Sequence, residues 1–124
     1  EFNAEFGTER AITVPYDSKF FRTDKHYSNL YFGASIKAIC LLLNNKGYTL
    51  IGTGMTGGNA FFVKNLLMTE KLKMLSKSPF CFSNNARQSR DIKGDLNFLN
   101  EANRYKEIKG MDVINTITRE IEQL

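Results

Sequence analysis

Histidine and cysteine are scarce in this sequence, whose 124 residues include one histidine and two cysteines. Cys40 falls in an apolar, helix-like pattern and Cys81 in a polar, loop-like segment, and neither belongs to a C-x-x-C pair. This scarcity argues against a metal centre built from thiolate and imidazole ligands. Two unlinked thiols in a reducing compartment are favoured over a disulfide.

Long hydrophobic runs are also missing. No apolar stretch approaches the roughly 20 residues that a membrane-spanning helix needs. The first residues also lack the basic-then-apolar pattern of a signal peptide. We therefore expect a cytoplasmic protein without a membrane partner.

The chain is modestly basic, with 17 Lys and Arg residues against 13 Asp and Glu residues and a formal net charge of +4. Because the basic residues are scattered, they give only a weak general attraction for anionic partners. Basic and aromatic residues are not interleaved on one strand as in an RNA-recognition domain, which argues against nucleic acid as a partner. The hydrophobic content of 42% is ordinary for a globular domain.

Two segments have the signals of helices. Apolar residues recur at helical spacing over residues 34–45, and Gly47 follows where a C-terminal cap belongs. A second helix is predicted over residues 100–108, with Asn100 as its N-cap and Gly110 just beyond its end.

The predicted strands are short. Residues 48–53 and 60–63 are rich in β-branched and aromatic residues, which is typical of strands. Residues 17–32 mix aromatic and polar residues without a clear period, and predict a loop anchored by its aromatic rings. The remaining expectations are an extended segment over 10–16 and a terminal hairpin over 113–117 and 119–124.

A literal G-x-G-x-x-G, formed by Gly52, Gly54 and Gly57, follows the strand predicted over residues 48–53. A dinucleotide-binding turn requires such glycines to open a helix, with an acid about 20 residues further on. Here a second β-rich run follows instead. The sequence therefore predicts a hairpin loop, in which glycine supplies positive φ at little steric cost.

Several motifs in order carry a resemblance to a known family. The segment SNLYFGASIKAICLLLNNKGYTLIGTGMTGGNAFFVKNLL, taken with EFNAEFG and ITVPYD, resembles the C-terminal half of a bacterial class I S-adenosylmethionine-dependent methyltransferase-like family, of the FkbM-like kind. By this resemblance EFN is the end of the fifth strand, YFGAS leads into the last helix, KGY-x-L-x-G is the sixth strand and NAFFV is the antiparallel seventh. The match covers residues 1–67 and, more loosely, the tail from Ser89 onward.

The resemblance implies an α/β fold in two parts. Residues 1–70 would be the C-terminal part of a Rossmann-like methyltransferase sheet, with the end of strand five, a helix, and antiparallel strands six and seven. Residues 71–124 would be a C-terminal extension, a small α+β tail with a helix and a hairpin. The first four strands, with the glycine-rich turn and the acid that hold the cofactor, have no counterpart in this sequence.

The resemblance also implies a function. The chain is expected to be the C-terminal fragment of an S-adenosylmethionine-dependent methyltransferase that acts on a sugar or related small metabolite. S-adenosylmethionine would be the cofactor of the parent protein, and this chain alone is expected to bind none. The expected partners are the missing N-terminal half, the small-molecule substrate and a second copy of the chain. The alternative is a small stand-alone protein-interaction or nucleic-acid-binding module.

The candidate substrate-binding residues are polar or aromatic. Glu1 and Asn3 would lie at the end of strand five, where ligands of open α/β sheets bind. The only histidine, His26, could accept a proton near neutral pH. The other candidates are Tyr31, for which packing is the favoured explanation, and Ser35 and Asn59, which helix entry and a turn explain equally well. A basic segment could meet an anionic group or form a solvated loop; its residues are Arg87, Arg90 and Lys93.

Overall fold

The structure is a computed structural model that describes residues 1–55, 57–77 and 88–124. Within these ranges the chain is a mixed α/β fold, with one three-stranded and one two-stranded antiparallel sheet and four α-helices. The expectation of an α/β protein is confirmed at this level. Cys81 and Arg87 lie outside the described residues.

Helix α2 covers Ile36–Asn45 and confirms the helix predicted over residues 34–45. It begins where the Ser35 hydroxyl accepts a hydrogen bond from the Ala38 amide, at 3.1 Å. Gly47 follows the helix with φ +78°, a left-handed conformation that glycine adopts without a Cβ clash. The predicted glycine stop is therefore confirmed as well.

Strands β2 (Tyr48–Thr53) and β3 (Ala60–Lys64) form an antiparallel hairpin, which confirms both predicted strands. The glycine-rich stretch connects them, so it is a hairpin connection and does not open a helix. The Gly54 amide donates to the carbonyl of Asn59 at 2.8 Å, and Gly57 has φ +73°. The prediction that glycine supplies positive φ in this loop is therefore confirmed at Gly57.

The second sheet joins the two ends of the chain. Its strands β1 (Ile12–Thr13), β4 (Asp112–Asn115) and β5 (Ile121–Gln123) lie in the order β1-β4-β5, all antiparallel. The hairpin of β4 and β5 confirms the predicted terminal hairpin with shorter strands. The pairing of β1 with β4, which sets Ile12 opposite Asn115, is a contact that no local signal predicts.

Helix α4 covers Glu101–Ile108 and confirms the second predicted helix. The side chain of Asn100 accepts a hydrogen bond from the Asn103 amide at 3.2 Å, and Gly110 follows with φ +86°. Both predicted end signals are therefore in place.

The remaining helical elements are short. Helix α1 (Arg22–Lys25) lies inside the segment predicted as a loop, and helix α3 (Glu70–Leu75) begins after its N-cap Thr69. Two 3-10 turns cover Ala4–Phe6 and Asn65–Leu67. Residues 1–3, predicted to end a strand, belong to no assigned strand, although Asn3 has extended dihedral angles.

The hydrophobic core has two clusters. The larger one draws residues from both predicted parts of the chain, before and after residue 70, and consists of Phe6, Ile12, Leu30, Tyr31, Ile108 and Val113. In the smaller one, Phe2, Ala4 and Ile36 are covered by α2 and by the hairpin of β2 and β3. The N-terminal residues thus contribute to both clusters.

A buried ion pair fastens the N-terminal turn to α4. The Arg104 guanidinium donates from Nε to Oε1 of Glu5 at 2.6 Å, and the two side chains are only 4% and 3% exposed. Arg104 and Glu5 are 99 residues apart in sequence. Desolvating two charges is costly, so the net contribution of the intact pair to stability is small. Removing either partner is expected to lower the free energy of unfolding by more than that contribution.

Replacing Arg104 by Met should strongly destabilise the protein, because the Glu5 carboxylate would keep its charge without its cationic partner. The expected loss is about 3–5 kcal/mol of unfolding free energy, measured by urea denaturation. Lys73→Ala is the control, since the exposed Lys73–Glu70 pair should contribute at most about 1 kcal/mol. Adding Glu5→Gln to Arg104→Met should restore part of the loss. Equal effects of Arg104→Met and Lys73→Ala would contradict this role.

Replacing Gly57 by Ala should lower the free energy of unfolding by about 1–2 kcal/mol, because a Cβ is unfavourable in the left-handed conformation. Gly52→Ala is the matched control: its φ is not in that region, and an added Cβ would meet no heavy atom within 4 Å. Thermal unfolding of both variants provides the comparison. An unchanged melting temperature for Gly57→Ala would show that the loop does not depend on this conformation.

Candidate functional site

The N-terminal residues lie against the hairpin loop. The Phe2 amide donates to the carbonyl of Gly58 at 3.0 Å, and the Asn3 amide donates to the carbonyl of Ala34 at 2.8 Å. These bonds bring the segment holding Glu1 and Asn3 beside the residue that precedes Asn59. Three of the predicted substrate-binding residues therefore lie in two adjoining segments, which we call the loop edge (residues 1–3 and 57–59).

Asn3 serves the fold at this edge. Its buried side-chain Nδ2 donates to the carbonyls of Leu30 and Phe32, both at 2.9 Å, and its Oδ1 accepts from the Glu5 amide at 3.0 Å. Both amide hydrogens are therefore used by backbone carbonyls. Through these hydrogen bonds, Asn3 connects the N-terminal turn to the segment that leads into α2.

Ser35 is engaged in the same way. Its fully buried hydroxyl donates to the carbonyl of Arg10 at 2.7 Å and accepts from the amides of Ile12 and Ala38, each at 3.1 Å. One oxygen thus ties β1 to the start of α2. The side chains that face solvent at the loop edge are those of Glu1 and Asn59.

His26 belongs to a separate cluster near α4. Its Nδ1 lies 2.8 Å from the hydroxyl of Ser28 and accepts from the Ser28 amide at 3.3 Å. Because a backbone amide can only donate, Nδ1 carries the lone pair and the neutral ring holds its proton on Nε2. The ring stacks on Tyr27 with 4.4 Å between centroids, and the Tyr27 hydroxyl donates to Glu107 at 2.6 Å.

The lone pair of His26 is occupied within the protein. Ser28 is fully buried and also accepts a hydrogen bond from the Leu30 amide at 3.3 Å. Burial lowers the pKa of His26, and the nearby Glu107 carboxylate opposes that shift. In this arrangement the imidazole holds the turn of residues 26–30.

Tyr31 lines an open groove of about 830 Å³ between the segment of residues 15–25 and the terminal hairpin. Its hydroxyl donates to the carbonyl of Asp112, and burial together with the Asp112 charge raises the pKa of this phenol. Other lining residues are Tyr16, Asp17, Ser18 and Gln123. None of these four was a predicted site residue, because the pairing of β1 with β4 that shapes the groove joins distant parts of the sequence.

The basic segment is only partly described. Arg90 donates from its guanidinium to the carbonyl of Gly94 at 2.6 Å, while Lys93 is exposed.

Cys40 is a free, half-buried thiol whose pKa is raised by burial, so the reactive thiolate is disfavoured. Within residues 1–55, 57–77 and 88–124, no group of three or more His, Cys, Asp and Glu side chains could hold a metal ion. In the same ranges, none of the helices has the length and apolarity to cross a bilayer.

His26 should make the stability depend on pH. Because its pKa is lowered in the fold, the unfolded chain takes up the proton first as the pH falls through about 6.5. The stabilisation by the neutral ring is therefore full above that pH and declines below it. Urea unfolding at about pH 7.5 and pH 5.5 should show a larger loss for the native chain than for His26→Gln. A ring-proton NMR titration with a midpoint above 6.5 would contradict this assignment.

Comparison with protein-family models, with curated proteins and with solved structures finds no match to this chain. The resemblance stated from the sequence motifs therefore stays a prediction.

Proposed function

We propose that this chain is the C-terminal part of an S-adenosylmethionine-dependent methyltransferase of the FkbM-like kind, acting on a sugar or related small metabolite. The observation that carries the proposal is the order of elements in residues 1–67. The extended Asn3 is followed by a 3-10 turn, β1 and α1, and then by α2, β2 and the antiparallel β3; the last three elements stand in the order that the resemblance predicts. In this reading β2 and β3 are the sixth and seventh strands of a Rossmann-like sheet.

The hydrogen bond from Phe2 to Gly58 supports the same reading. It joins Phe2, which the resemblance assigns to the end of the fifth strand, to the residues that enter β3. In the proposed parent protein, the residues that precede Phe2 would extend this pairing along β3. Among the described residues, β3 has β2 as its one strand partner. The edge of β3 thus offers backbone groups to another strand.

The proposal assigns the substrate site to the loop edge. Ligands of open α/β sheets bind beyond the carboxyl ends of the parallel strands, and this edge follows both the presumed fifth strand and β2. Methyl transfer requires an acceptor oxygen held in line with the methyl group, and a base that takes the acceptor's proton. The exposed Glu1 carboxylate could accept that proton, and the Asn59 amide could hold a neighbouring hydroxyl group. S-adenosylmethionine would supply the methyl group.

The exposed apolar side chains support the proposal that another part of the parent protein covers this surface. Large apolar residues face solvent on β3 and on the segment after it: Phe61, Leu66, Leu67, Met74 and Leu75. Each large apolar side chain left in water forfeits roughly 1.5–3 kcal/mol of burial energy. The missing N-terminal half is the proposed cover, and a second copy of the chain would serve where that half is absent.

The decisive experiment compares S-adenosylmethionine binding by two polypeptides in isothermal titration calorimetry. The 124-residue chain should not bind it, because its glycine-rich stretch is a hairpin connection. A polypeptide extended by the coding region upstream of Glu1 should bind in the micromolar range, as a complete cofactor site would.

The two polypeptides test separate parts of the proposal. Micromolar binding by the 124-residue chain would show that the cofactor site was assigned to the wrong half. A folded, extended polypeptide that does not bind would reject the methyltransferase and favour a stand-alone interaction module.

A further inference from the structure

We propose that the groove lined by Tyr16, Asp17, Ser18, Tyr31, Asp112 and Gln123 binds a neutral, polyhydroxylated ring of monosaccharide size. Its volume of about 830 Å³ lies within the range of small-molecule sites. Its walls come from the segment of residues 15–25, from the connection between α4 and β4, and from β5. This site is the terminal-hairpin groove.

The terminal-hairpin groove is held in shape before any ligand arrives. On one wall, Asp17 accepts hydrogen bonds from Lys25 at 2.6 Å and from the Lys19 amide at 2.8 Å. On the other wall, Asp112 is paired with Gln123 across the strands β4 and β5. The floor is fixed by the hydrogen bond from Tyr31 to the carbonyl of Asp112. A preformed site loses less conformational freedom when it binds.

Three polar side chains in this groove have hydrogen-bond donors or acceptors that a ligand could use. In the part of the chain that the structure describes, the side chains of Ser18, Asp112 and Gln123 make no hydrogen bond to protein groups. The Asp112 carboxylate can accept from two neighbouring hydroxyl groups, while the Gln123 amide and the Ser18 hydroxyl can both donate and accept. This set suits a ligand with several hydroxyl groups.

The charges of the groove disfavour an anionic ligand. The hydrogen bond from Lys25 lowers the pKa of Asp17, and the two groups neutralise each other within the groove. Among the lining residues this leaves the Asp112 carboxylate as the remaining charge, which would repel an anion. A neutral hydroxyl-bearing ring meets no such repulsion.

Tyr16 provides the surface on which such a ring can stack. Its side chain is 91% exposed, so one large aromatic group at the groove remains in water. A pyranose presents C–H groups on one face, and stacking that face on the phenol ring removes apolar surface from both partners. If the bound sugar is also the methyl acceptor, that role rests on the proposed function, whereas the binding itself rests on the groove.

The test is saturation-transfer NMR on the intact 124-residue chain, with methyl β-D-glucopyranoside and methyl α-D-mannopyranoside as probes. At least one should bind with a dissociation constant in the millimolar range. Tyr16→Ala should weaken that binding between about twofold and tenfold. Phe21→Ala is the matched control, because Phe21 is a neighbouring aromatic residue, 62% exposed, that does not line the groove.

A second pair of variants tests the hydrogen bonds. Asp112→Asn should weaken binding because one carboxylate oxygen is replaced by a donor, while Asp95→Asn, on an exposed loop outside the groove, should not. Failure of both pyranosides to bind, preferential binding of choline or glucose 6-phosphate, or equal binding by native chain and Tyr16→Ala would each overturn the inference. Binding of S-adenosylmethionine by the extended polypeptide is measured independently, so failure here leaves the methyltransferase proposal intact.

Discussion

The junction of the N-terminal turn with the rest of the molecule governs this structure. Glu5 and Arg104 meet in a nearly solvent-free position, and the neighbouring Asn3 holds the backbone of residues 30 and 32. A buried charge tolerates little displacement, since its partner must stay within hydrogen-bonding distance. The position of α4, and through it the direction in which the chain enters β4, is therefore tied to a few residues near the N-terminus.

The same junction lies between the two places where we propose that ligands bind. The loop edge depends on the N-terminal residues and on the hairpin of β2 and β3, whereas the terminal-hairpin groove depends on Tyr31 and on β4 and β5. Tyr31 follows Leu30, whose carbonyl is held by Asn3. One short segment thus connects the presumed chemistry at the loop edge with the groove proposed for a sugar.

Local signals in the sequence were sufficient for the two longer helices, α2 and α4, and for the two hairpins. Gly47, Asn100 and the glycine-rich loop each act within a few residues of their own position, so residue type and spacing reveal their roles. Asn3 was predicted to contact substrate because the resemblance assigns it to the end of strand five, and Ser35 because it is polar. In the structure, each also bonds to backbone groups more than twenty residues away. The groove at Tyr16 was missed for the same reason, since the pairing of β1 with β4 is set by tertiary packing and not by local pattern.

The pairing of β1 with β4 also has a consequence for how the chain folds. Helix α2 and the hairpin of β2 and β3 join neighbouring residues and can form early, whereas Ile12 must wait for Asn115. Closing so large a loop costs chain entropy before any contact repays it, which slows folding. During synthesis the apolar side of β1 would therefore stay uncovered until β4 has left the ribosome. In that interval the nascent chain is open to chaperones and to mispairing with another copy.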